Sequence, residues 1–247
     1  MKLWKIAGAL ALSALFGCKT ETTLESFPLA EPVSTETSTA KKRQSFLEQI
    51  IEKTPYIGGV FYYDESQKEK YLKTAEKEYC FTEKDAIALW TEIGRRKQQA
   101  YGLTIMPRDL TGAGKNSIIF SFPVMFENSK NTDDISSYIV DHESHHAKDN
   151  ALGIELCGEK ITPEKIPKIP IYYDILELRA YSNQITNMGK RQVSEECKRL
   201  IATKYFTIFW QLFSISLKNE YAKSAILQES YLPLLDVQTK NIVIVKK

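Results

Sequence analysis

All three histidines of this 247-residue chain fall within five positions, in the run His142-Glu143-Ser144-His145-His146. Histidines used for packing or surface solvation scatter along a chain, so this crowding points to one shared task. His142 and His146 stand four residues apart. On a helix that spacing puts both imidazoles on one face about one turn apart, as two ligands of a tetrahedral zinc require. Glu143 is out of line with them, so its carboxylate reaches a water beside such a metal rather than the metal itself, the position of a general base. The bland alternative is a solvated helical face with fortuitous histidines, which leaves the crowding unexplained.

The elements that must position these residues are legible around them. Thr132 followed by Asp133 and Asp134 opens a helix over about 133–150, with acids at its positive dipole end. Residues 117–126 (SIIFSFPVMF) are β-branched and aromatic and predict a strand, with Pro123 favouring an edge position. Further helices are expected over 42–53, from Thr82 with Asp85 three residues on to about 101, over 172–187 ending near Gly189, and over 193–222. In the last, the apolar stretch 205–217 is too short for a membrane span and predicts a buried core helix. The run from Gly112 to Ser117 imitates a phosphate-binding loop, but Asp109 stands where its first glycine belongs and Asn116 where its hydroxyl belongs. It is expected to be a turn.

His-Glu-x-x-His on a helix with a strand just upstream resembles the zincin superfamily of zinc metallopeptidases. The implied fold is α+β, a mainly helical zincin-like domain with a small sheet whose edge strand precedes the motif helix and aligns an extended peptide. The implied cofactor is Zn2+, which keeps three protein ligands and one position for water. No histidine follows His146, which excludes the metzincin pattern. Glu177-Leu178-Arg179-Ala180-Tyr181, thirty-one residues beyond His146, is similar to the gluzincin branch, and that resemblance implies Glu177 as the third ligand. By residue type alone Asp174, Glu155 and Glu159 compete with it. Glu177 is preferred because it lies mid-helix with Tyr173 and Tyr181 one turn to either side, whereas Glu155 and Glu159 sit in a loop near Gly153 and Gly158.

The chain departs from the best-known gluzincin pattern, which has Asn before the ligand glutamate and Ser-Asp after it. Here Leu176 precedes and Ala180-Tyr181 follow, so the carboxylate that orients a ligating histidine is missing from its place, and Asp149 or Asp174 is expected to serve. Tyr181 is expected to donate a hydrogen bond to the oxyanion of the tetrahedral intermediate. His145, three residues from His142, points beside the metal face and is assigned to substrate contact or solvent.

The N-terminus carries an address. Lys2 and Lys5 precede an apolar run over 6–16 of signal-peptide length, and Leu15-Phe16-Gly17-Cys18 resembles the lipobox of bacterial lipoproteins, which implies lipidation of Cys18. Residues 1–17 are then a leader, 18–40 a flexible tether rich in Thr, Ser, Glu and Pro, and 41–247 one metallopeptidase domain. The implied location is the bacterial cell envelope, exported and lipid-anchored to the outer membrane or periplasmic face. Cys80, Cys157 and Cys197 remain, which allows at most one bridge. The net charge of +2, from 33 basic and 31 acidic residues, provides no footprint for nucleic acid. The expected partners are a peptide or protein substrate and, through Cys18, a membrane. The expected function is a membrane-anchored zinc-dependent peptidase in which a zinc-bound water attacks the peptide bond with Glu143 as general base. Its rival is a non-catalytic envelope lipoprotein using a zincin-like scaffold as a binding module, against which the intact Glu143 argues.

Overall fold

A computed structural model describes residues 33–95, 100–105, 116–161, 165–236, 239 and 241–247. The leader, the lipobox with Cys18, the tether up to residue 32, and Gly112 to Lys115 lie outside the described residues. The architecture is mainly helical α+β with small sheets. The chain divides into two compact units, one ending at Asn128 and one spanning Ser129–Lys247. Each unit gathers its own apolar core, so the division follows burial rather than composition.

In the first unit helix α1 (Val33–Ile51) leads to strand β1 (Ile57–Tyr62), a short 3-10 turn, helices α2 (Lys68–Tyr79) and α3 (Glu83–Gly94), strands β2 (Gly102–Ile105) and β3 (Ser117–Ser121), and helix α4 (Pro123–Asn128). Helix α1 begins inside the stretch assigned to the tether. Ala40, Gln44 and Leu47 are buried at helical spacing, an inward stripe that its small and polar members hide from a hydrophobicity reading. Gln44 covers the free edge of β1, donating to the Val60 carbonyl at 2.8 Å and accepting from the Tyr62 N–H at 2.7 Å. The expected cap at Thr82 is present, accepting from the Asp85 N–H at 3.2 Å.

The sheet order is β1-β3-β2, with β3 parallel to β1 and antiparallel to β2. This corrects the expectation of an edge strand: β3 is central, all five of its residues are buried, and both its edges are already paired. Pro123 marks no edge because the strand has ended, and it begins α4, where a proline's missing N–H costs nothing. No edge of β3 is left for an extended peptide to pair with. Phe61, Tyr71, Trp90 and Phe120 form the aromatic centre of this unit, with Tyr71 ring centroids 5.2 to 5.4 Å from the other three. At Gly58 an added Cβ would collide with the Tyr79 hydroxyl, so this glycine permits a close approach of helix and strand.

The second unit opens with α5 (Thr132–Ser136), a π-helical segment (Ser137–Glu143) and α6 (Ser144–Leu152), the parts of the expected motif helix. Then come a minimal hairpin, β4 (Glu155–Leu156) and β5 (Glu159–Lys160), helices α7 (Tyr172–Met188), α8 (Glu195–Ser216) and α9 (Glu220–Gln228), and a C-terminal hairpin of β6 (Tyr231–Leu235) and β7 (Ile242–Lys246). The long helix expected over 193–222 is thus two, because Asn219 caps a new start, accepting from the Ala222 N–H at 3.0 Å. Its apolar stretch is buried on one face only: Tyr205, Phe209 and Leu212 are inside, but Phe213 is 47% and Leu217 94% exposed. No helix among the described residues is long and apolar enough to cross a membrane. Cys80, Cys157 and Cys197 are all free, so the bridge that the composition allowed is not made.

Candidate metal centre

Asn131 starts the motif helix, its side chain accepting from the Asp134 N–H at 2.9 Å. Asp134 is buried and in turn accepts from the Ser194 N–H and hydroxyl at 2.8 Å each, tying this start to the start of α8. The helix then widens. Ser144 donates its backbone N–H to the Ile139 carbonyl, five residues back, and His142 and Glu143 end that wide segment while His146 sits in the ordinary turn after it. Such wide turns store a local departure from the α register and are frequent at functional sites. Gly153, at φ 73°, closes the helix by donating its N–H to the Asp149 carbonyl at 2.8 Å.

Helix α7 brings Glu177 against this face. Its Oε1 lies 3.2 Å from His146 Nε2 and its Oε2 3.4 Å from His142 Nε2, and the two Nε2 atoms are 3.2 Å apart. Zinc bonded at about 2.0–2.1 Å in a tetrahedron separates its ligand atoms by about 3.3 Å, and the histidine pair and each histidine–carboxylate contact fall near that spacing, the two carboxylate contacts being made by different oxygens of Glu177. Two neutral imidazole nitrogens and one carboxylate are a borderline donor set suited to zinc, with a fourth corner left over. Among the described residues this is the trio that can hold a metal.

The electrostatics favour positive charge at this point. Burial alone would push the His146 imidazole down, yet the Glu177 carboxylate, with Glu143 and Asp149, raises it to about 9. Burial would likewise raise Glu177, but His146 and His142 hold its carboxyl well below the usual carboxylate range. Glu143 is buried in the same turn as His142 and stands outside the trio. Tyr181, one turn beyond Glu177, sets its ring against His142 with centroids 4.5 Å apart at 60°.

Two expectations change. His145 is neither solvated nor in the trio: its side chain is 14% exposed, its Nε2 lies 3.6 Å from Asp149 Oδ2, and burial pushes its pKa down to about 4 despite that carboxylate. Neither proposed acid orients His142. Asp149 is taken by Arg179 at 2.8 and 3.0 Å, and Asp174 accepts from Gln211 at 3.3 Å. The partner of His142 Nδ1 is Gln184 Oε1 at 3.0 Å. The sequence reading missed this residue, although Gln184 is two turns past Glu177 and therefore on its face of α7. Competing carboxylates drew attention from an amide.

Beyond the Arg179–Asp149 pair, two more ties fix α7 and the loop after it to the motif helix. Asn183 donates to the Asp141 carbonyl at 2.6 Å, and Arg191 grips the Asp141 carboxylate at 2.8 and 3.1 Å. Burial raises the Asp141 carboxyl overall, although Arg191 opposes it. Paired forks of this kind set distance and rotation together.

Comparison of the chain with protein-family models, with curated proteins and with solved structures finds no match in any of the three.

Proposed function

We propose that the chain is a zinc-dependent peptidase of the bacterial envelope, held to a membrane through a lipid on Cys18. The observation that carries the catalytic part is the cluster of three donors, His142, His146 and Glu177, with contacts of 3.2 to 3.4 Å between them and with Glu143 in the same turn as His142. Zinc, when bound, supplies Lewis acidity toward a carbonyl and makes a water nucleophilic near neutral pH. Glu143 takes the proton of the attacking water and returns it to the leaving amine, so peptide-bond cleavage needs no other acid or base. The Tyr181 hydroxyl serves as donor to the oxyanion, with its ring braced on His142. The lipid anchor is supported by the residues around Cys18, where a short basic start, an apolar run and Leu-Phe-Gly-Cys follow in order.

The test is zinc content and peptidase activity of the full chain beside Glu143→Gln and Glu177→Ala. About one zinc per native chain is expected, with activity down by about 10²–10⁴ in Glu143→Gln although zinc is retained, and weakened zinc binding in Glu177→Ala. A native protein that binds zinc but cleaves no peptide, with Glu143→Gln indistinguishable from it, would leave a binding module instead.

A further inference from the structure

We propose that Gln184 is the positioning residue of this site: it selects the tautomer of His142 and so commits the Nε2 lone pair of that imidazole to the metal. The inference rests on the metal reading above and adds a residue to it. Gln184 is fully buried on α7. Its Oε1 lies 3.0 Å from His142 Nδ1, and its Nε2 lies 3.2 Å from both the backbone carbonyl and the hydroxyl of Ser137.

The direction of the amide follows from its partners. A backbone carbonyl only accepts, so the end of the side chain facing Ser137 must be the NH2 group, and the oxygen must face His142. An oxygen only accepts as well. His142 Nδ1 therefore carries a proton, and in the neutral imidazole that a metal ligand must be, Nε2, the atom 3.2 to 3.4 Å from the other two donors, presents the lone pair. An imidazole in the other tautomer would aim an N–H at the metal position and could not ligate without rotating.

The wide turn makes this arrangement possible. Ser137 and His142 are five residues apart and both lie within the π-helical segment. In an α-helix five residues rotate to about 140° from the starting direction, whereas a register bonded five residues back brings both groups round to the same side. One glutamine can then satisfy both. The Tyr181 ring packs against the imidazole in a T-shaped contact, so His142 is held by a hydrogen bond and by packing.

The two ends of Gln184 meet partners of opposite polarity, which makes the amide specific. Glutamate would keep an acceptor for Nδ1–H but set its second oxygen against the Ser137 carbonyl. Leucine, of similar size, would lose both bonds. The experiment is zinc affinity by chelator competition, with thermal melting of the metal-free forms, for the native full chain, Gln184→Leu and Gln184→Glu. Orienting partners of ligand histidines change metal affinity about 10–100-fold, so that loss is expected in Gln184→Leu. Gln184→Glu should recover affinity close to native while melting below native in the metal-free state, a split that a merely structural role would not produce. A folded Gln184→Leu that binds zinc as tightly as native, or a Gln184→Glu that binds no better than Gln184→Leu, overturns the proposal. Should Gln184→Leu not fold, nitrogen NMR of the metal-free native protein decides: a proton on His142 Nδ1 supports it and an Nδ1 without one overturns it. Native protein that takes up no zinc fails before any variant is compared, and overturns the metal reading together with this one.

Discussion

Asp174 shows how one carboxyl can be inside the fold and outside the chemistry. Burial, and after it the charge of Glu177, holds its carboxyl up at about 6, against 3.8 for an unperturbed aspartate. A group whose pKa is raised by folding favours the folded state while protonated. Its contribution is complete below the unfolded value and is lost as pH climbs through 6, where the fold must carry a half-buried charge. Metal-free Asp174→Asn is therefore expected to melt about 2–4 °C above the native chain at pH 7–8, the shift that one kcal/mol makes at this chain length, and to coincide with it at pH 4. Melting curves that stay parallel across that range would show that this acid is not the source. Residue chemistry was legible to this extent: the motif singled out His142 and His146, the resemblance named Glu177, and the structure brings these three together. Which acids were free to act and which were already engaged depended on Arg179 and Gln211, far away in sequence.

At the scale of elements, the site is an agreement between two helices. The motif helix offers His142 and His146, α7 offers Glu177, and their relative setting is held by forks such as Arg179 on Asp149, whose carboxylate is 3% exposed. Removing the arginine leaves a buried carboxylate without its partner. Because Arg179 itself is 27% exposed, the cost of Arg179→Met is expected below the roughly 3–5 kcal/mol of fully buried pairs, at about 2 kcal/mol, measurable by urea denaturation. Adding Asp149→Asn to it should restore part of that loss, and a single variant costing less than about 0.5 kcal/mol would mean the fork does not set the helices. The helices themselves were readable from caps and periodicity, but the π-helical segment was not, because no residue type marks it. It exists because α7 supplies Gln184 and Asn183 to bond what the widened turn exposes. Strand β3 was found and its place misjudged, since a five-residue apolar run reads the same at an edge or a centre until its neighbours are known.

Across the whole molecule, the three described thiols sit in two kinds of environment. Cys80 and Cys157 are exposed and Cys197 is buried, with burial, followed by the nearby Asp134, pushing its thiol up to about 12. Thiolate is the reactive form, so native protein is expected to titrate Cys80 and Cys157 rapidly and to release Cys197 only on unfolding. Cys18 stays unreactive wherever it carries its lipid. A third described thiol reacting at the rate of the first two in folded protein would contradict the packing of α8 against the start of the motif helix.

The sequence by itself determined what local chemistry can determine: a crowded histidine motif with a glutamate inside it, helix starts with capping residues, and a nearly balanced charge. These depend on residues near one another in the chain. The tertiary structure decided the division into two units, the central place of β3, the helical fate of residues from Val33, and the identity of the group that orients His142. Each of those turns on a partner 16 to 60 residues away, as Gln44 is from Val60, Gln184 from His142 and Ser194 from Asp134. Hydrophobic spacing reports which face of an element is buried, whereas only the packed chain reports against what.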